Sequence, residues 1–238
     1  MEADFIEAAC RKFCPHKVRR LLEPACGTGR LIVELAGRGY DMIGFDLNRK
    51  ALSYLRRRLR HRSLSAEVFE ADMANFHLPR PVEAAFCTVN TFRHLLTESA
   101  ARRHLECISA SLRPGAIYVL GFHFLQRTGE DPQIPPWKAQ RGSTEVLAEL
   151  RALTIDRRRR VQEFRNDVLV RKGSQQLRLR HEFPMRTYTS RQFQDLLKSV
   201  PSLEICATYN SHYTIDRPVA MNDELAYGLF ILRRRSRS

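Results

Sequence analysis

The sequence predicts an α/β fold, a parallel sheet with helices on both faces, and three observations point there. Short strand-like runs alternate with amphipathic helical stretches through the first 123 residues. Two runs, 82–89 and 116–122, are apolar almost throughout, as strands buried on both faces are. A glycine turn, Cys26-Gly27-Thr28-Gly29, joins the first run to the helix after it. With 238 residues, 43% hydrophobic and 28% charged, the chain is long enough to bury a core without a metal or disulfide staple.

Taken in order, the apolar spacing of Phe5, Ile6, Ala9 and Phe13 predicts a helix over 4–13. Residues 18–22 read as a strand that enters the glycine turn. A short helix follows over 30–37 and stops at Gly37. A second strand is expected over 41–45. The next helix, 48–62, carries Leu52, Leu55 and Leu59 on one stripe, with Arg56, Arg57, Arg58, Arg60 and Arg62 around it as a solvated face. Residues 66–69 form a short third strand and 82–89 a buried fourth. A helix over 98–112 closes at Arg113-Pro114-Gly115, and 116–122 is a buried fifth strand. Such alternation implies right-handed crossovers.

Beyond residue 124 the pattern changes. Asp131-Pro132 and Pro135-Pro136 mark a loop. Three strand-like stretches follow, 145–153, 159–172 and 175–183, the last two joined by a turn at Gly173-Ser174. In the last, Leu177, Leu179, His181 and Phe183 alternate with Arg178, Arg180 and Glu182, so one face of that sheet is expected to be wet. Ser190 is expected to cap a helix to Val200. Residues 203–208 and 225–232 read as late strands, followed by a frayed tail.

The longest mostly apolar run, 116–125, is far short of a membrane span, and the acidic start Met1-Glu2-Ala3-Asp4 is unlike a secretory signal. Six scattered cysteines without a Cys-x-x-Cys pair are expected as reduced thiols in a cytoplasmic protein. Cys10, Cys14 and His16 read as neighbours on a helix rather than a metal cluster, and no metal is expected. Forty basic against 26 acidic residues give a net charge of +14, which points toward nucleic acid or an acidic partner. The excess is spread along the chain, and all but six of the basic residues are Arg, so this signal is diffuse.

The glycine turn carries the chemistry. Glycines after a strand let the backbone approach a ligand closely, and Asp46, at the end of the next strand, is placed to accept hydrogen bonds from ribose hydroxyls. The third small residue of a dinucleotide fingerprint is replaced by Ile32, and no Gly-Lys-Ser/Thr phosphate loop follows. The expected ligand is a nucleoside without a pyrophosphate, and S-adenosylmethionine fits that description. Across about residues 17–123, Leu22-Glu23-Pro24-Ala25-Cys26-Gly27-Thr28-Gly29-Arg30, Gly44-Phe45-Asp46, Ala71-Asp72-Met73, Asn90-Thr91-Phe92-Arg93-His94-Leu95 and Leu112-Arg113-Pro114-Gly115 stand in one order. In this the chain resembles the class I S-adenosylmethionine-dependent methyltransferases of small-molecule type.

The resemblance implies a Rossmann-like doubly wound sheet of seven strands, order 3-2-1-4-5-7-6, with an antiparallel β insertion after strand 5. Residues 1–123 would be the cofactor core, 124–185 the insertion covering the substrate cleft, and 186–238 the helix and last two strands completing the sheet. It implies that Ala25, Gly27 and Gly29 line the cofactor's methionine end with Glu23 supporting the loop. Asp46 would hold the ribose, Leu47 and Met73 flank adenine, Asp72 meet its amino group, and Asn90 sit beside the sulfonium. Two departures stand out: the family often has glycine where Ala25 stands, and only about 17 residues precede the first strand, so a cofactor lid is expected to be truncated, missing or supplied from elsewhere.

His94 and His123 follow the fourth and fifth strands, where open sheets place ligands, and are the candidate general bases. Each is equally readable as a structural histidine. His212 and Tyr213 are weaker candidates. Trp137, Arg186 and Tyr188 resemble recurrent positions of the insertion, Arg186 suiting a substrate carboxylate and Tyr188 a pocket wall, with simple packing as the alternative. The resulting expectation is methyl transfer to an N or O nucleophile of a small molecule by a monomer or homodimer. Charge keeps an RNA or ribosome-associated methyltransferase in view, although Asn90-Thr91-Phe92 stands where nucleic-acid amino methyltransferases of this kind carry Asn/Asp-Pro-Pro-Tyr/Phe. A non-catalytic cofactor-binding module is the third reading.

Overall fold

The computed structural model describes residues 1–125 and 136–236. Helix α1 (Glu2–Phe13) precedes strand β1 (Arg20–Pro24), α2 (Arg30–Gly37), β2 (Asp41–Asp46), α3 (Arg49–His61), β3 (Glu67–Glu70) and β4 (Val82–Cys87). A 3-10 turn (Thr91–His94), α4 (Glu98–Ser111) and β5 (Leu112–His123) complete the first half. Then come β6 (Trp137–Arg141), β7 (Thr144–Asp156), β8 (Val161–Lys172) and β9 (Gln175–Arg186), followed by α5 (Ser190–Lys198), β10 (Leu203–Tyr209) and β11 (Tyr227–Arg234).

Seven strands form the main sheet in the order β10-β11-β5-β4-β1-β2-β3, the topology expected. Its first five strands in the chain run parallel, and β11 lies antiparallel between β5 and β10. Alternate side chains feed two cores. Leu21, Met42, Ala84, Ile117 and Val119 pack with α1, α2 and α3. Leu22, Ile43, Ala85, Tyr118 and Leu120 pack with α4, α5 and an aromatic group around Phe92 and Phe122. Both faces of β4 and β5 are therefore dry, which is why their sequences are uninterrupted apolar runs.

β6 to β9 form a separate four-stranded antiparallel sheet, here called the arm. Its base touches the core where Phe183 stacks near His94 (5.5 Å) and Arg93 lies over Phe164 (5.4 Å). No described helix is long and apolar enough to cross a membrane.

Several boundaries differ from the sequence reading. β4 stops at Cys87, because Val89 and Asn90 are left-handed (φ 59° and 67°) and turn the chain into the 3-10 turn. β5 begins at Leu112 and runs through Pro114-Gly115, with a register shift against Val82 and Ala84 absorbing the irregularity. Helix α5 is capped by Thr189, whose hydroxyl accepts from Gln192 N–H, while Ser190 donates to Asp223. Strand β6, which begins at Trp137, was not legible in the sequence. Arg56 and Arg58 are not simply solvated: they donate to the carbonyls of Val68 and Thr28. The tail is ordered as strand to Arg234. Of the loop expected at 131–136 only Pro136 is among the described residues.

Candidate active site

Strand β1 ends in a turn with three left-handed residues, Ala25 (φ 48°), Gly27 (φ 54°) and Gly29 (φ 67°). Glycine is needed at Gly29 for a second reason: a Cβ there would stand 2.3 Å from a methyl of Leu55 on α3. At Gly27 a Cβ would meet nothing within 4 Å, so this backbone faces open space. The bulky Ile32 is accommodated by a glycine on the neighbouring strand. A Cβ on Gly44 would come within 2.9 Å of Ile32.

Asp46, at the tip of β2, holds the turn. Its Oδ2 accepts from Gly27 N–H at 2.8 Å and its Oδ1 from Asn48 N–H at 2.7 Å. Asn48 in turn caps α3, accepting from the N–H groups of Lys50 and Ala51. One carboxylate thus fixes the turn and the start of α3 while keeping lone pairs for a ligand. Glu23 sits under the turn. Its Oε2 is withdrawn from solvent and without a partner. Burial, with Arg30 opposing and Glu2 reinforcing, pushes its carboxyl up to about 8.

A cleft of about 620 Å³ opens at the carboxyl ends of β1, β2 and β3, where parallel sheets place ligands. Ala25, Asp46, Leu47, Asp72, Met73 and His94 all line it, six of the expected residues brought together from four connections. Asp72 accepts from Ala74 N–H (2.8 Å), which fixes the loop after β3. Met73 is held from behind by His104, a fully buried residue not anticipated from the sequence. His104 Nδ1–H donates to the Met73 carbonyl at 2.8 Å, so its Nε2 accepts from Tyr118 Oη–H, also at 2.8 Å. Burial draws His104 down to about 4, and it is neutral. Thr91, Thr97 and Arg103 also line the cleft and were not anticipated.

Glu23, Gly27, Gly29, Asn90 and His123 flank this cleft rather than line it. Asn90 Oδ1 accepts from the His123 backbone N–H (2.9 Å), which leaves Asn90 Nδ2 facing the ring Nδ1 at 3.0 Å. The amide then donates to Nδ1, and the imidazole carries its proton on Nε2. Burial and Arg93 pull His123 down to about 4. Its ring lies 4.7 Å from that of Tyr227, whose hydroxyl faces Tyr213 (3.3 Å) and Val89 N–H (3.4 Å). His94 is lowered by burial, Arg93 and His181, and is neutral at pH 7. His212 is exposed.

The three residues expected against the substrate lie away from this cleft. Arg186 donates to the Leu96 carbonyl (2.7 Å) and to Glu98 (2.6 Å). Tyr188 is fully buried among Phe92, Phe122 and Phe193, between the guanidinium groups of Arg160 and Arg186. Trp137 is 54% exposed on the arm, opposite Ala148. Arg186 and Tyr188 are engaged in these contacts with the core, whereas Trp137 leaves about half of its surface exposed. The short N-terminal segment does reach the rim: Glu2 accepts from Thr88 Oγ1 (2.7 Å) and pairs with Arg30 at the start of α2. Among the described residues no group of His, Cys, Asp and Glu is arranged to hold a metal.

Comparison with known proteins agrees with this architecture. A family described as a methyltransferase domain matches residues 21–115. A dTDP-3-amino-3,6-dideoxy-alpha-D-glucopyranose N,N-dimethyltransferase of Streptomyces fradiae is 30% identical over 119 residues, half of this chain and 45% of that protein. A glycine/sarcosine N-methyltransferase of Parasynechococcus marenigrum is 29% identical over 121 residues, covering 42% of its length. The match spans about half the length of these curated relatives. Among solved structures, an S-adenosylmethionine-dependent methyltransferase from Clostridium acetobutylicum superposes with a TM-score of 0.81 at 17% identity, covering 98% of this chain and 91% of that one. The sugar N-methyltransferase KedS8 from Streptoalloteichus superposes at 0.78 with 20% identity, covering 99% and 87%. Residues 21–115 therefore match a methyltransferase domain, and the chain has the fold of the class I S-adenosylmethionine-dependent methyltransferases.

Proposed function

We propose that the chain is an S-adenosylmethionine-dependent methyltransferase whose acceptor is a nucleophile, an amine by preference, on a small molecule. The observation that carries this reading is the cleft lined by Ala25 of the left-handed turn at 25–29, with the Asp46 carboxylate tied to Gly27 and Met73 braced by His104. The residues present fit that cofactor. Asp46 has lone pairs left for two vicinal hydroxyls, Leu47 and Met73 offer apolar flanks for a base, and the partnerless Glu23 oxygen lies under the turn. The preference for an amine rests on relatives named as sugar and glycine N-methyltransferases.

When bound, S-adenosylmethionine supplies an electrophilic methyl group. This chain's residues supply placement. Holding the acceptor in line with the methyl contributes on the order of 7–11 kcal/mol. His94 lines the cleft as a neutral imidazole and receives the acceptor's proton. His123 is a positioning residue, since its Nδ1 is engaged by Asn90 and its Nε2 already carries a proton. The arm, residues 137–186, serves as a cover whose base reaches His94 through Phe183. Six unpaired thiols support a reducing, cytoplasmic setting.

The test is transfer of labelled methyl from S-adenosylmethionine to fractionated extract. We expect label in small amine-bearing molecules, amino sugars foremost. Replacing His94 by Gln is expected to lower kcat by about 10²-fold or more while KM for the cofactor holds. Label confined to RNA would instead establish the nucleic-acid reading.

A further inference from the structure

Helix α3 carries more positive charge than its own stability favours. Residues 47–66 hold seven Lys and Arg side chains and no Asp or Glu. Arg49 and Lys50 stand in the first turn, at the positive end of the helix dipole, and no acidic residue accompanies them. Arg60 is four residues from Arg56 and three from Arg57, and each such like-charge pair costs about 0.2–0.5 kcal/mol. The dipole favours only the basic last turn, Arg58, Arg60 and His61. Contacts sort these cations. Arg49 pairs with Glu70, while Arg56 and Arg58 donate to the carbonyls of Val68 and Thr28. Glu67, the other acid on the adjoining strand β3, is taken by Arg20. Lys50, Arg57, Arg60 and Arg62 are exposed and pair with no carboxylate among the described residues. With Leu52, Leu55 and Leu59 turned inward, the helical period puts Lys50, Tyr54, Arg57 and His61 on the outermost ridge, with Ser53 and Arg60 beside them. Tyr54 is 42% exposed there, and the guanidinium groups of Arg57 and Arg58 lie 5.7 and 5.9 Å from its ring centre.

We propose that the outer ridge of α3 binds single-stranded RNA, whatever molecule the cleft methylates. Three features select this partner. The first is charge: phosphates repeated along a strand meet the cations that the fold leaves without carboxylates, on a chain whose net charge is +14. From Lys50 to Arg62 the helix rises about 18 Å, room for several nucleotides. The second is the aromatic ring. An exposed Tyr set among arginines offers a stacking platform to an unstacked base. A duplex keeps its bases stacked inside, and a lipid surface or an acidic peptide has none to offer. The third is the sugar. Ser53 and His61, both exposed beside Tyr54, can hydrogen-bond a 2′-hydroxyl, the group that RNA has and DNA lacks.

The experiment is fluorescence anisotropy of a labelled single-stranded RNA of about 15 nucleotides, titrated with the full chain from about 50 to 300 mM salt. We expect a Kd of micromolar order near 100 mM salt, and a slope of log K against log salt of about −2 to −3, as up to four phosphate contacts give. Tyr54→Ala should weaken binding at least about fivefold and leave the slope unchanged, while Tyr54→Phe should bind like the wild type. The double variant Arg57→Gln/Arg60→Gln should bind more weakly and with a slope shallower by about 1.4. All three variants should bind S-adenosylmethionine in calorimetry as the wild type does, which separates loss of the ridge from failure of the cleft. Absence of RNA binding at about 50 mM salt would overturn the proposal. So would equally tight binding of duplex or single-stranded DNA, wild-type affinity in Tyr54→Ala, or capture by phosphatidylserine vesicles in place of RNA.

Discussion

At the scale of single residues the site is built from backbone that side chains normally avoid. Ala25 occupies a left-handed conformation (φ 48°) that costs a non-glycine residue roughly 1–2 kcal/mol. Val89, β-branched and at φ 59°, is a stronger outlier, and with Asn90 it redirects the chain from β4 toward the cleft. Replacing Ala25 by Gly is therefore expected to stabilise the fold by up to about 1 kcal/mol, a rise in Tm of roughly 2–4 °C. Gly29→Ala should do the opposite. It adds left-handed strain and drives a methyl into Leu55, so thermal denaturation should show a loss of about 2 kcal/mol or more. Comparable Tm values for the two variants would contradict this account of the turn. The pairing of Ile32 with Gly44 is a residue-level fact the sequence did not disclose. The large side chain fits because the residue opposite it on the neighbouring strand is a glycine.

Among the elements, those with a strong local period were legible and those defined by distant partners were not. The stripe of Leu52, Leu55 and Leu59 predicts α3 because burial on one face repeats at helical spacing. The dry strands β4 and β5 declared themselves as apolar runs, although β4 was read two residues too long, since nothing local announces two left-handed residues after Thr88. Strand β6 has every residue exposed, so no burial pattern marks it, and it exists through its pairing with β7. The residues grouped at the cleft were legible because the turn at 25–29, Asp46 and Asp72-Met73 each follow a strand. Thr97 and Arg103 lie beside or on a helix and reach the cleft only through tertiary packing, and His104 supports it from behind through Met73. Arg186 illustrates the converse. A guanidinium suited to a carboxylate does bind one, but the carboxylate is Glu98 at the start of α4, which also takes Arg160 at 2.9 Å. This junction fixes the arm to the core. Glu98→Ala leaves two largely buried guanidinium groups short of an acceptor and is expected to cost about 1–3 kcal/mol in urea unfolding. It should also make the arm cleave faster in limited proteolysis. An arm as resistant as in the wild type would remove Glu98 from that role.

For the whole molecule, buried titratable groups set opposing pH limbs. Glu23 is raised to about 8 in the fold, so its contribution is full below its ordinary value near 4.5 and is lost as pH rises toward 8. His104 and His123 are drawn down to about 4, so their contribution is full above about 6.5 and is lost as pH falls toward 4. Two histidines outweigh one carboxyl in the shared range, and stability should crest near about pH 6.5. Urea denaturation from pH 4 to 9 tests this. Glu23→Gln should flatten the alkaline limb and His104→Gln make the acid limb shallower, whereas stability climbing steadily to pH 8 would contradict the burial of Glu23. The same buried core holds the cleft in shape, which leads back to the ligand. Titration calorimetry with S-adenosylmethionine and S-adenosylhomocysteine, on the wild type and on Asp46→Ala, bears on it most directly. The account predicts micromolar binding by the wild type and at least tenfold weaker binding by the variant, about 1.4 kcal/mol, with its far-UV spectrum unchanged. Equal affinities, or no binding by the wild type, would contradict it.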